Sequence, residues 1–209
     1  MKLAIKICGM RDAVNIMAAA QLKPDIMGFI FYPDSPRFAG NLLDPVTLSL
    51  LPYGISKAGI FVDADYIAIS KTVQKYALDI VQLHGAEPPE LCSRLQESGI
   101  QVIKAFNINA STRFRLFSRY VGCTDYFLFD ATAKNYGGSG QKFDWKILYS
   151  YDLGHPFFLS GGIEPGDVSI IKNINIPFFH GVDLNSRFET EPGLKNIEKL
   201  KEFINELSH

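Results

Sequence analysis

The sequence predicts a single-domain (β/α)8 barrel of the α/β class, spanning residues 1–209. Three observations carry that prediction. Short apolar runs alternate with helical patterns eight times, with no linker or shift in composition, and such alternation makes a parallel sheet. Eight strand-helix units in 209 residues suit a small closed barrel better than an open sheet. The turn after the first strand reads Cys8-Gly9-Met10-Arg11-Asp12, which is not the glycine fingerprint of an open doubly wound sheet, the alternative architecture.

The elements follow in order. Residues 3–8 form the first apolar run, and 12–21 the first helix, with Asp12 as its N-cap. Residues 26–31 are continuously apolar, as in a parallel strand covered on both faces. Pro33-Asp34-Ser35-Pro36 is loop, and a short helix is expected at 45–51. Strand three is 57–62 with its helix at 66–76. Strand four is 79–83, ending at His84-Gly85, and the helix at 88–97 opens on prolines, where they are tolerated. Strand five is 101–106, followed by a helix at 112–120. Strand six is 126–129, with a helix at 145–149. Strand seven is 156–159, then Ser160-Gly161-Gly162 and a short helix at 165–172. Strand eight is 178–184, and the last helix is 194–207.

Composition excludes several classes. Lysines and arginines number 21 against 22 acids, a net charge of −1, so there is no basic footprint for nucleic acid. No apolar run reaches the ~20 residues of a membrane helix, and Lys6 breaks the initial apolar stretch, unlike a secretory leader. The three cysteines are widely spaced and odd in number, which argues against a disulfide framework and for a reducing, cytoplasmic setting. No histidine pair has metal-ligand spacing, so no metal is expected. The helices carry mixed charge, and a monomer is expected rather than a homodimer.

In such a barrel the C-terminal strand ends share one mouth. Here they supply Cys8, the loop to Arg37, Asp63, His84, Asp130, Gly161-Gly162 and the stretch from Asp183 to Ser186. Each has a plainer reading. Cys8 is either a packing cysteine or a reactive thiol; strand period two places Lys6 on its face, where a cation lowers a thiol pKa. Asp130 is either an N-cap or an acid-base group at a strand end, ahead of the glycine loop Gly137-Gly138-Ser139-Gly140. Arg37 is either solvated or a bidentate carboxylate ligand. His84 is either a cap or a mouth residue. Gly161-Gly162, with a helix after them, and Asn185-Ser186 occupy the two loops that commonly hold phosphate in barrels.

These residues carry a resemblance. Lys6-Ile7-Cys8-Gly9, Gly28-Phe29-Ile30-Phe31-Tyr32, Ser35-Pro36-Arg37, Gly59-Ile60-Phe61-Val62, Val81-Gln82-Leu83-His84-Gly85, Tyr136-Gly137-Gly138-Ser139-Gly140, Phe143-Asp144-Trp145 and Leu159-Ser160-Gly161-Gly162 resemble the phosphoribosylanthranilate isomerases of tryptophan biosynthesis, from Lys6 to about Gly193. The resemblance implies a TIM barrel catalysing an Amadori rearrangement on a small phosphorylated substrate, without metal or cofactor. It implies Cys8 as general base and Asp130 as general acid, and Arg37 on the anthranilate carboxylate. Gln82, His84 and Asp183 would lie beside the substrate, and Gly138 and Gly140 in a covering loop. Gly161, Gly162, Asn185 and Ser186 would hold the phosphate. Two stretches depart from the family pattern: Arg187-Phe188-Glu189 stands where a glycine, a small or aliphatic residue and an acid are usual, and Ala131-Thr132-Ala133 is less polar than usual. Other readings are a related phosphoribosyl-sugar isomerase, an enzyme using Cys8 as a nucleophile, and a non-catalytic barrel that binds a phosphorylated ligand.

Overall fold

The alternating apolar runs become the staves of a closed barrel. In the computed structural model, which describes residues 2–40, 42–130 and 145–208, the strands are β1 (Ala4–Ile7), β2 (Ile26–Ile30), β3 (Ser56–Phe61), β4 (Ile80–Leu83), β5 (Gln101–Asn107), β6 (Tyr126–Asp130), β7 (Phe157–Ser160) and β8 (Phe179–Leu184). They pair in chain order, and β8 returns to β1 to close the ring. The pairings are parallel throughout, and the closing seam sets Lys6 opposite Asp183. No helix among the described residues is long and apolar enough to cross a membrane.

Strand periodicity divides the buried residues into two cores. Outward side chains such as Ile7, Phe29, Val81, Phe127, Phe129, Leu159 and Val182 meet the surrounding helices in the larger one. Inward side chains, among them Cys8, Ile26, Ile60, Ile80, Ile103, Leu128 and Phe158, fill the barrel itself. The apolar filling occupies the barrel interior beneath the mouth. Polar side chains share the inward face: Lys6, Gln82, Ser160 and Asp183 are all buried.

The outer layer departs from the expected eight helices. α1 (Ala13–Ala20), α2 (Pro45–Ser49), α3 (Tyr66–Tyr76), α4 (Pro89–Glu97), α5 (Val168–Lys172) and α6 (Ile197–Ser208) are α-helical. Asp12 caps α1 as expected, accepting the Asn15 N–H at 2.8 Å. The helix expected at 112–120 is instead a 3₁₀ helix, Phe114–Tyr120. Its aromatics Phe114, Phe117 and Tyr120 recur every third residue, the 3₁₀ period, so all of them reach the barrel wall. Phe117 stacks on Phe106 of β5 with ring centroids 3.9 Å apart, and Phe114 meets Phe129 of β6 at 5.1 Å. Trp145–Ser150 is likewise 3₁₀, and a 3₁₀ turn, Pro165–Asp167, precedes α5.

The second departure bears on the site. The last helix was expected to begin at Leu194. Instead β9 (Glu189–Glu191) and β10 (Leu194–Lys195) form an antiparallel hairpin before α6. Pro192-Gly193 makes its turn, with Gly193 at φ 88°. That hairpin folds back over the barrel mouth.

Candidate active site

Cys8 follows β1 directly and points into the mouth. Its sulfur needs space that β2 supplies: a Cβ on Gly28 would stand 2.9 Å from Sγ. Lys6, one pleat below on the same face, donates to Asp183 Oδ1 at 2.8 Å and is fully buried. Burial by itself pushes the Lys6 ammonium down, but the Asp183 carboxylate and the Cys8 sulfur outweigh it and hold the ammonium above its ordinary range. The cation expected beside Cys8 is therefore present. It does not bring the thiol below its ordinary range: burial pushes Cys8 up, Lys6 and Lys195 oppose this, and Asp183 adds to it.

Asp130 ends β6, and its register partners are Asn107 of β5 and Ser160 of β7. Its Oδ2 lies 3.5 Å from His84 Nε2. His84 Nδ1 in turn is 3.1 Å from Gln82 Nε2. Since an amide nitrogen only donates, Nδ1 accepts and the imidazole proton sits on Nε2, facing Asp130. Gln82, His84 and Asp130 thus form one chain that runs from β4 over the end of β5 to β6. Two buried acceptors on it, Gln82 Oε1 and Asp130 Oδ1, have no hydrogen-bond partner among the described residues. Buried polar atoms are rarely left so; at a barrel mouth these are polar atoms left for partners on a bound molecule.

Arg37 comes from the loop after β2. Its Nε donates to both carboxylate oxygens of Glu189 (2.9 and 3.0 Å), and Nη2 to Oε2 at 2.6 Å. Glu189 Oε1 also accepts from Lys195 Nζ at 2.7 Å. Lys195 Nζ reaches Asn185 Oδ1 at 2.8 Å. The mouth is therefore lined with alternating charges, Lys6 with Asp183 on the seam, and Arg37 of the β2 loop with Glu189 and Lys195 of the hairpin.

The sequence profile of the N-(5'phosphoribosyl)anthranilate (PRA) isomerases matches residues 5–206. The chain belongs to that family. Among curated relatives, the N-(5'-phosphoribosyl)anthranilate isomerase of Parabacteroides distasonis is 45% identical over 98% of this chain and 93% of its own. That of Phocaeicola vulgatus is 41% identical, covering 97% of each. The solved phosphoribosyl anthranilate isomerase of Thermotoga maritima superposes with a TM-score of 0.83 at 32% identity, over 98% of both chains. Another, in complex with reduced 1-(o-carboxyphenylamino)-1-deoxyribulose 5-phosphate, gives 0.79 at 30% identity, again over 98% of both.

Within this PRA isomerase barrel the remaining expected residues fall in different places. Gly161 and Gly162 follow β7 at φ 87° and 70°, left-handed backbone that glycine adopts without steric cost. The helix behind them contributes less than expected, because a 3₁₀ turn intervenes and α5 has five residues. Ser186 is exposed at the mouth. Asn185, expected in the phosphate cage, accepts from Lys195 Nζ on its Oδ1. Asp183, expected beside substrate, already carries protein donors on both oxygens: Lys6 on Oδ1, and Ser160 Oγ on Oδ2 at 3.1 Å. Asp63, another strand-end acid, accepts from the Ala86 N–H at 2.7 Å and so fastens the loop after β4. Arg187 is exposed, and Phe188 beside it is buried against Phe203. The expectations for Gly138, Gly140 and the 131–133 departure lie outside the described residues.

Two residues escaped the sequence reading. Lys195 looked like the start of a surface helix, yet it is buried, its N–H and C=O both bound by Asn15 of α1 at 2.7 and 2.8 Å. Lys104 sits on the outward face of β5, buried, donating to Glu87 at 3.1 Å and to the Leu83 and Gly85 carbonyls. Glu87 also accepts from the Asp63 and Gly85 N–H groups. The Pro192-Gly193 dipeptide was the available turn signal for the first; a charged residue within an apolar run was the signal for the second. Among the described residues no group of three or more His, Cys, Asp or Glu side chains is placed to hold a metal ion.

Proposed function

We propose that the chain isomerises N-(5'-phosphoribosyl)anthranilate to 1-(2-carboxyphenylamino)-1-deoxy-D-ribulose 5-phosphate, the Amadori step of tryptophan biosynthesis. The observation that carries this reading is the pairing of an inward thiol just after β1 with an inward carboxyl at the end of β6, at one end of the barrel. Asp130 protonates the ribose ring oxygen as the C1–O bond breaks, leaving a protonated imine between C1 and the anthranilate nitrogen, which keeps its N–H. Cys8, as thiolate, removes the proton from C2. The electron pair left on C2 moves into the C1–C2 bond while the imine nitrogen becomes an amine. The resulting enolamine carries a C2 hydroxyl, and its tautomerisation returns a proton to C1 and leaves the C2 ketone. One acid and one base suffice.

The other residues bind. Arg37 takes the anthranilate carboxylate on the part of its guanidinium that Glu189 does not use. Gly161 and Gly162 receive the phosphate with Ser186. Gln82 Oε1, orphaned and buried, accepts from a substrate donor, and His84 keeps Asp130 oriented. No cofactor enters this scheme. The same reading places the protein in the cytoplasm, as a single-domain monomer at micromolar concentration, which sedimentation checks.

The test follows the decay of substrate anthranilate fluorescence with the wild type, Cys8→Ser and Asp130→Asn. The reading requires turnover by the wild type, losses of about 10²- to 10⁴-fold in each variant, and retained binding of a product analogue. An unreactive wild type overturns the function. A Cys8→Ser variant as fast as wild type overturns the assigned base.

A further inference from the structure

We infer that Glu189 is the positioning residue for Arg37, and that the β9–β10 hairpin thereby sets the preference for a substrate with an aromatic carboxylate. The inference rests on the reading of Arg37 given above and deepens it. A free arginine side chain samples many rotamers, and ordering it on binding costs affinity. Here the ordering is already done. Glu189 takes the Nε and Nη2 edge in a fork, and the absence of a side chain on Gly9 lets Arg37 Cδ lie where a Cβ would be 2.7 Å away. Among the described residues no acceptor takes Nη1, which leaves that nitrogen for a ligand carboxylate.

Glu189 is itself held from several sides. Its Oε1 accepts from Lys195 and from the Gly193 N–H at 3.1 Å, which closes the hairpin turn. Lys195 is held by Asn15 through its backbone. Burial would push the Glu189 carboxyl up, but Arg37 and Lys195 outweigh it, so it stays ionised throughout the neutral range. One anion between two cations leaves a single net positive charge, which a monoanionic carboxylate neutralises. Removing Glu189 exposes two opposing effects. The added positive charge favours an anionic ligand, while loss of the fork frees Arg37 to leave its geometry. The fork involves several charge-assisted hydrogen bonds in a partly buried setting, and the orientation effect is the larger one proposed.

The test compares the carboxylated substrate with its aniline analogue, which lacks only the carboxylate, on Glu189→Gln, Glu189→Asp and Arg37→Met. Loss of a charge-assisted pair predicts that Glu189→Gln raises KM for the carboxylated substrate about tenfold or more, while KM for the analogue moves less than about twofold. Glu189→Asp recovers part of the loss, and Glu189→Gln adds nothing in an Arg37→Met background. Equal penalties on both substrates overturn the inference in favour of a general structural role. A fall in KM for the carboxylated substrate overturns it in favour of Glu189 as a competing anion. If Arg37→Met itself fails to discriminate between the substrates, the assignment of Arg37 fails, and this inference with it.

Discussion

Lys6 and Asp183 meet 2.8 Å apart at the seam where β1 and β8 close the barrel, and both are buried. The pair stands directly below Cys8, and its two charges act on the thiol in opposite directions. That opposition makes the pair separable by experiment. Lys6→Met is expected to push the Cys8 thiol further up and Asp183→Asn to let it fall, read from thiolate ultraviolet absorbance across pH. Each variant strands a buried charge, and each is expected to cost about 3–5 kcal/mol in stability. Shifts of the same sign in both variants are the outcome that defeats this account.

Activity should report the same thiol. Because burial holds Cys8 above its ordinary range, the thiolate fraction at neutral pH is small. The kcat/KM of the wild type is expected to go on rising past pH ~8.5, where an unperturbed thiol has ionised. A plateau reached by neutral pH contradicts a buried thiolate base.

Gly28 is the second test of that sulfur. A methyl group there would meet Sγ at 2.9 Å, so Gly28→Ala must displace Cys8 or β2. Misplacing a reacting group by about 1 Å costs up to ~100-fold in rate. The expected result is a loss of kcat of about 10- to 100-fold, with overpacking costing about 1–3 kcal/mol of stability. Undiminished kcat would mean that Cys8 can move without consequence.

The Gln82–His84–Asp130 chain predicts a graded loss. His84→Ala removes the Nε2–H that faces Asp130 and is expected to lower kcat about tenfold or more, less than Asp130→Asn. Gln82→Leu fills the same volume without donor or acceptor, freeing the ring and removing the orphan Oε1. It is expected to raise KM as well as lower kcat, as steady-state kinetics will show.

Stability should fall at alkaline pH. Burial raises the thiols of Cys8, Cys92 and Cys123, Cys92 to about 12. A group whose folded pKa is raised contributes stability below its unfolded pKa and loses it as pH climbs to the folded value. The window therefore opens near pH 8.5 and, for Cys92, extends to about 12, with a slope of up to ~1.4 kcal/mol per pH unit for each thiol. Thermal unfolding followed from pH 7 to 10 checks the sign; Cys92→Ala, which lacks that thiol, should flatten the curve while costing stability at pH 7.

The barrel was legible because parallel strands covered on both faces must read as continuous apolar runs. The runs at 26–31 and 126–129 became β2 and β6 with their ends shifted by one residue. Cys8 and Asp130 were legible for a related reason: a polar or reactive residue at a strand's C-terminal end lies at the mouth in any such barrel. The 3₁₀ helix at Phe114–Tyr120 was less so. Its aromatic spacing of three also fits one face of an α-helix, and only packing on Phe106 and Phe129 decides between them.

By itself, then, the chain's order of apolar runs and punctuating glycines determined the number of barrel strands, their parallel sense and the face that Lys6 shares with Cys8. Those follow from periodicity and connectivity, which are local. Tertiary structure alone decided the partners. Glu189 finds Arg37 across 152 positions and Lys6 finds Asp183 across 177, since closure of the ring and the return of the hairpin bring them together. The same closure buried Cys8 deeply enough that desolvation outweighs the cations beside it. Coulomb attraction and desolvation depend on distance through space, which position along a chain does not encode.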